Sequence, residues 1–294
     1  TTQSPGPGPD RPAEADRSVV VLPIEPGLLC LRGLSPRRLR FEVEYGLERG
    51  TTANSFLVEA GTTADGQPVP PVLVHPPGNS FAEPFLAELA AQVPADAALK
   101  VIIGHVNPNR VALLHRLAAH WPALMLVASN AGARLLSDLW SQRRPSGPND
   151  PGGEPELPPL PPIDVVKQEV CRTLANGYRL CLIPSPTPRW PGGLMAFEER
   201  TGLLMSGKFF AAHLCQTSWA EANRDSTEED RRYFYDCLMA PMARQVEAVL
   251  NRLDDLAIRC IAPGHGPAIA ESWRSLLADY RRWGEAQGRA RLAV

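Results

Sequence analysis

Three short segments place imidazole, amide and basic side chains where a strand gives way to a loop. The first, IIGHVNPNR, carries His105, Asn107, Asn109 and Arg110. The second, PSPTPRWPGGLMAFEERTGLLMSGKFFAAH, carries Arg189, Lys208 and His213, and the third, APGHGP, carries His265. Neutral imidazole can bind a metal, so His105, His213 and His265 each offer a possible donor. Arg110, Arg189 and Lys208 are cations at neutral pH, without a lone pair to give, and suit an anion such as chloride or a carboxylate. A lone histidine at a strand end usually fills an ordinary polar role. Three such segments together carry more weight, because strand-end loops are where layered α/β folds gather functional groups.

The elements that must bring these segments together follow from periodicity and turn residues. Short β-rich runs at 18–23, 27–33, 40–46 and 51–61 predict a meandering antiparallel sheet. Residues 70–78 read as a buried strand ending in a Pro-broken loop, and 80–93 have helical spacing. Strand-then-helix order follows at 99–105 with 109–121, and again at 124–130 with 133–140. Residues 143–162 are Pro- and Gly-rich without periodicity and read as an insertion. Strands resume at 163–168, 178–184, 192–199 and 201–207. The stretch 225–256 predicts a long helix that starts at a Ser226–Glu229 capping box and is kinked or split at Pro241. A last strand, 258–266, delivers His265, and an amphipathic helix runs to about Trp283. Two halves that each run from strands to helices predict a four-layer α/β/β/α sandwich, an α+β fold.

The whole-chain balance excludes several functions. A net charge of -2 provides no basic field for nucleic acid or an anionic membrane. No apolar run approaches the roughly 18 residues a membrane span requires, and the first residues lack the apolar core of a secretory signal. A cytoplasmic setting is expected. The 6 cysteines are scattered without a C-x-x-C pair, which points to reduced thiols and away from a disulfide framework or a Cys-rich zinc site. Residues 1–17, rich in Pro, Gly and charge, are expected to be disordered, and the missing initiator Met suggests a piece of a longer protein.

From about residue 18 onward the chain resembles the metallo-β-lactamase-like domain of flavodiiron proteins. GTTANSFLVE (50–59) is similar to the family's early strand. Where the family has a turn written H-x-E-x-D-H, this chain has HVNPNR; where it has HWP, this chain has Arg189 in RWP. Lys208 falls at the family's bridging Asp, and His265 in PGHG at its final His. The resemblance implies a metallo-β-lactamase-like four-layer sandwich over 18–288. It also implies a degenerate di-iron pocket at His105, Asn107, Asn109, Arg110, Arg189, Lys208 and His265, of which only His105 and His265 keep a usable donor. The exchanges raise the pocket's formal charge about as much as two ferric ions would.

The stretch LLADYRRWGEAQGRARLAV is similar to the family's exit from this domain, so 289–294 would begin the first strand of a flavodoxin-like domain. No cofactor is expected on this chain itself; FMN, and iron in a partner, would belong to the full-length assembly. PTPRWP and the altered ligands look most like cyanobacterial-type diflavin flavoproteins, which add a flavin reductase module. The resemblance therefore implies an oxidoreductase subunit passing electrons from NAD(P)H or a photosynthetic carrier to oxygen, giving water, in a homo- or heterodimer. This chain would be inactive alone. A non-catalytic scaffold or anion-binding regulatory subunit is the alternative. A zinc-dependent hydrolase of the same fold is a third, weakened by the absence of H-x-H-x-D-H.

Overall fold

The computed structural model describes residues 17–37, 40–41, 45–46, 48–142 and 157–292. The chain opens with an antiparallel pair, β1 (Ser18–Glu25) and β2 (Leu28–Ser35), followed by a minimal pair, β3 (Arg40–Phe41) and β4 (Tyr45–Gly46). Next come β5 (Thr51–Val58), a second minimal pair, β6 (Gly61–Thr62) and β7 (Pro68–Val69), and β8 (Val72–Val74). Helix α1 (Ala82–Gln92) leads to β9 (Lys100–Ile103), α2 (Pro108–His120), β10 (Met125–Ser129), α3 (Asn130–Trp140) and β11 (Ile163–Val166). These strands form a seven-stranded sheet in the order β1-β2-β5-β8-β9-β10-β11, antiparallel as far as β8 and parallel from there on.

The second sheet has five strands in sequence order: β12 (Val170–Thr173), β13 (Arg179–Pro184), β14 (Leu194–Glu198), β15 (Leu203–Gly207) and β16 (Cys260–Pro263). Between β15 and β16 lie α4 (Glu228–Phe234), a π turn, a 3-10 turn and α5 (Ala243–Leu253), and α6 (Trp273–Leu292) follows.

Alternation along the strands makes the layers. Leu180 and Leu182 of β13 face the first sheet and pack with Phe56, Val74 and Ile102. Their neighbours Cys181 and Ile183 face the other way, toward Val246 and Leu250 of α5 and Tyr280 of α6. In the first sheet, Leu57, Leu73, Val101 and Leu126 turn to α1, α2 and α3 through Phe85, Leu114 and Leu136. The predicted four layers, with the meander leading into β/α order, are therefore present.

Several expectations are corrected. Residues 40–41 and 45–46 do not join the meander: among the described residues β3 and β4 pair only with each other, and 42–44 lie outside them. The long helix is divided at Pro241 as expected, but the capping box does not form. Ser226 Oγ donates to Asn223 O, and the residue before α4 is Thr227, whose hydroxyl donates to Glu221 instead. Helix α6 continues past Trp283 to Leu292, taking in residues 290–292 that were expected to be strand. Nothing in GEAQGRARL compels a break: two glycines cost the helix without stopping it. The edge strand β12 was not foreseen. Nor was a disulfide between Cys171 and Cys181, which lie opposite each other on β12 and β13. Arg17, expected in a disordered segment, donates to Ser80 O at 2.9 Å. Residues 1–16 and most of the insertion, 143–156, lie outside the described residues.

Candidate functional site

Three strand ends build the site. β9 ends at Ile103, and Gly104 turns the chain where a Cβ would lie 2.3 Å from His75 Cε1. That close approach delivers His105 to the mouth of α2. Asn107 caps this helix, its Oδ1 accepting from Arg110 N at 2.7 Å, with Pro108 in the first turn. The cap fixes the amide, so Asn107 Nδ2 is the group that meets His105 Nε2 at 3.2 Å. Arg110 folds back and donates from Nη1 to His105 O at 3.0 Å, while its Nε is buried without a hydrogen-bond partner. Burial pulls the Arg110 guanidinium down to about 10 from its ordinary value. Asn109 lies against the loop after β8, where a Cβ on Gly78 would fall 2.1 Å from its Nδ2.

The second strand end is β15. Gly207 takes a positive φ of 62°, and Lys208 follows it. Phe210 also adopts a left-handed φ of 63°, a conformation costing a non-glycine residue about 1 kcal/mol. It is held by its N–H donating to Tyr280 Oη at 3.1 Å, by Arg231 Nη1 donating to its carbonyl, and by a fully buried ring.

β16 supplies the third. Gly264 N donates to Gly207 O at 2.7 Å, tying this loop to the previous one. Asn54 Nδ2 donates to Pro263 O and Gly266 O, and Gly266 N donates to Thr52 Oγ1 at 2.7 Å. His265 Nδ1 is 2.6 Å from Thr52 O, a partner that can only accept, so the proton sits on Nδ1 and the lone pair on Nε2. That lone pair faces Lys208 Nζ at 3.5 Å. His213 hydrogen-bonds through Nδ1 to Thr51 Oγ1 at 2.7 Å, with its ring 4.6 Å from that of His265.

Six of the seven predicted positions are thus joined. Burial first, then the positive fields of Lys208, Arg110 and Arg189 together with the coupling to His265, hold His105 well below the ordinary imidazole value. Asn107 joins through its contact with His105; Asn109 is placed through Gly78. Trp190, not foreseen, stands between them: His105 meets it edge-on at 6.4 Å, and Lys208 Nζ and the Arg189 guanidinium lie 5.8 Å and 6.0 Å from its ring. Its signal was the RWP tripeptide itself. Thr51, Thr52 and Asn54, all on β5, were also missed as site-builders, although GTTANSFLVE had been singled out for its resemblance.

A di-iron centre does not fit these residues. It needs several carboxylates and imidazoles with free lone pairs. Here both usable lone pairs, on His105 Nε2 and His265 Nε2, face an amide N–H and an ammonium. Among the described residues, the only group of three His, Cys, Asp or Glu ligand atoms within 4.8 Å of one another is Cys171, Cys181 and Glu199, in a different part of the second sheet.

Two facing sheets under outer helices, with functional loops at the strand ends, define a metallo-β-lactamase-like sandwich. The family model for the ODP family β-lactamase matches residues 51–266. The chain is 38% identical over 278 residues to diflavin flavoprotein A 6 of a Nostoc species, covering 95% of this chain and 45% of that protein. Diflavin flavoprotein A 4 of a Synechocystis species is 35% identical over 285 residues, covering 96% and 43%. Among solved structures, the flavodiiron core of Flv1 from Synechocystis, described as metal-soaked, superposes with a TM-score of 0.80 at 35% identity, covering 92% of this chain and 61% of that one. Rubredoxin oxygen:oxidoreductase of Desulfovibrio gigas shares the fold, with a TM-score of 0.73 at 16% identity, covering 90% and 62%. The chain belongs to the flavodiiron family, in its diflavin flavoprotein branch. It spans less than half the length of the curated relatives it matches.

Proposed function

We propose that this chain is the ODP module of an oxidoreductase that passes electrons to oxygen, and that its own pocket acts without iron. The observation that carries this reading is the joined cluster of His105, Asn107, Arg110, Arg189, Lys208 and His265, in which cations and an amide stand where metal donors would be needed. Arg110 and Lys208, half-buried, and Arg189, exposed, all bring positive charge toward His105, and a counter-charge beside them lowers their mutual repulsion. Chloride, a carboxylate or another small anion, held by Arg110, Arg189 and Lys208, would supply it. The chain would then support turnover in a homo- or heterodimer with a relative that keeps a full ligand set, with FMN and a flavin reductase module elsewhere in the assembly and NAD(P)H or a photosynthetic carrier as donor.

The residues' part in such a system is electrostatic and positional. Asn107 and Arg110 fix the His105 loop, the β5 residues fix His265, and Lys208 bridges the two strand ends. The same cationic cluster also favours a regulatory reading, in which an anion sets the stability of the module and through it the assembly. Oxygen consumption of the full-length protein, alone and mixed with a ligand-complete relative, separates these. Activity that rises only in the mixture supports the first reading. Anion-dependent stability with no effect on turnover supports the second.

A further inference from the structure

We propose that Cys171, Cys181 and Glu199 form a redox-gated site for a thiophilic divalent cation of the zinc class, closed when the cysteines are joined and open when they are reduced. The placement follows from strand register. Leu174 N donates to Tyr178 O at 2.8 Å, which sets the phase of the β12–β13 ladder. Cys171 and Cys181 therefore face each other as a non-hydrogen-bonded pair, the position where antiparallel strands come closest, with Cα atoms 3.8 Å apart. Both side chains lie on the helix-covered face, Cys181 buried and Cys171 half-buried at the sheet edge.

Glu199, directly after β14, completes the group. Its Oε1 lies 3.3 Å from Cys181 Sγ, and its Oε2 accepts from Arg179 Nη1 at 2.7 Å. A disulfide sulfur has no hydrogen, so it gives this carboxylate nothing. A thiol would donate to it, and a cation shared with two thiolates would bind it directly. Tetrahedral zinc with Zn–S near 2.3 Å needs its sulfurs about 3.8 Å apart and a carboxylate oxygen at about 2.0–2.2 Å from the metal. The three ligand atoms already lie within 4.8 Å of one another. Opening the disulfide and rotating the two side chains is the adjustment required. The half-buried side at Cys171 leaves a fourth position for water.

The chemistry balances with a dithiol reductant. One of its thiolates attacks a sulfur of the Cys171–Cys181 bond and forms a mixed disulfide. Its second thiol then closes the reductant's own disulfide, so two electrons and two protons pass to the cysteines. Binding of the divalent ion displaces those two protons.

Cobalt(II) titration of the chain, reduced and then freed of reductant, tests this through the thiolate-to-cobalt charge-transfer absorption, with zinc as competitor. The reduced protein should bind one equivalent with that absorption and lose it to zinc, and the oxidised protein should bind none. Cys171→Ser and Glu199→Gln should each weaken binding about tenfold or more, whereas Cys237→Ser should not. Because Cys181 is buried, Cys171→Ser and Glu199→Gln carry the test, with circular dichroism to establish folding. No charge-transfer absorption in the reduced protein, equal binding in the oxidised protein, or unchanged affinity in Cys171→Ser or Glu199→Gln would each overturn the proposal.

Discussion

Replacing Arg110 with Met should stabilise the protein when small anions are scarce. Burial alone pulls the guanidinium down to about 10 from its ordinary value, which corresponds to a cost on the order of 3 kcal/mol while it stays charged. The folded pKa lies below the unfolded one, so this cost is fully present below about pH 10 and fades only as the pH rises from there toward the ordinary guanidinium value. Its buried Nε adds to the cost, since no hydrogen bond replaces the water it lost. Met keeps most of the aliphatic stem but forfeits the bond from Nη1 to His105 O, worth about 1 kcal/mol. The net expectation is a gain of about 2 kcal/mol, a rise of several degrees in Tm. Thermal melts at constant ionic strength, with chloride exchanged for a bulky organic anion, read this directly. The wild-type Tm should climb with chloride, and that of Arg110→Met should be higher at the start and nearly flat. A variant destabilised by more than 1 kcal/mol in the chloride-free series would refute the reasoning.

His75 is buried and lowered to about 4, chiefly by burial. Since its folded pKa lies below the unfolded value, the stability it contributes is present above about pH 6.5 and is lost as the pH falls toward 4. Urea denaturation across that range should show the loss, and His75→Asn, which tolerates the positive φ of 57°, should flatten the slope while lowering stability at pH 7. Arg231→Met should cost about 3 kcal/mol by the same measurement, because it leaves the Glu221 side chain buried without its ion-pair partner, held only by the Thr227 and Ser272 hydroxyls, and frees the carbonyls of Phe210 and Pro267. Gly266→Ala should cost more than about 1 kcal/mol, since φ is 86° and the new Cβ would meet Ala212 O at 2.6 Å; a melt unchanged from wild type would show that this turn does not hold the His265 loop.

Much of the site was legible because its parts are local. Each of the three segments couples a buried strand to a Gly- or Pro-bounded turn, so His105, Lys208 and His265 announce themselves at strand ends. The layering was legible from element order, since two halves that each run from strands to helices can bury two sheets on each other. The structure shows it in β13, where Leu180 and Leu182 enter one core and Cys181 and Ile183 the other. What could not be read depends on partners distant in sequence. The disulfide needs the β12–β13 register, and spacing alone does not reveal which cysteines face each other. Ser226 and Glu229 have capping-box spacing, but Asn223 O takes the Ser226 hydroxyl and the helix starts later. The role of β5 arises from side chains that cross to loops more than 200 residues away, as Asn54 does in reaching Gly266.

The central claim is that the pocket of this flavodiiron chain excludes iron through its own donor set. Iron analysis of the protein produced with ample ferrous iron and purified without oxygen tests it most directly, beside a variant carrying Asn107→Glu, Asn109→Asp, Arg110→His, Arg189→His and Lys208→Asp. The account predicts iron far below stoichiometry in the wild type and clear uptake in the variant. Near-stoichiometric iron in the wild type, lost when His105 and His265 are replaced by alanine, would contradict it.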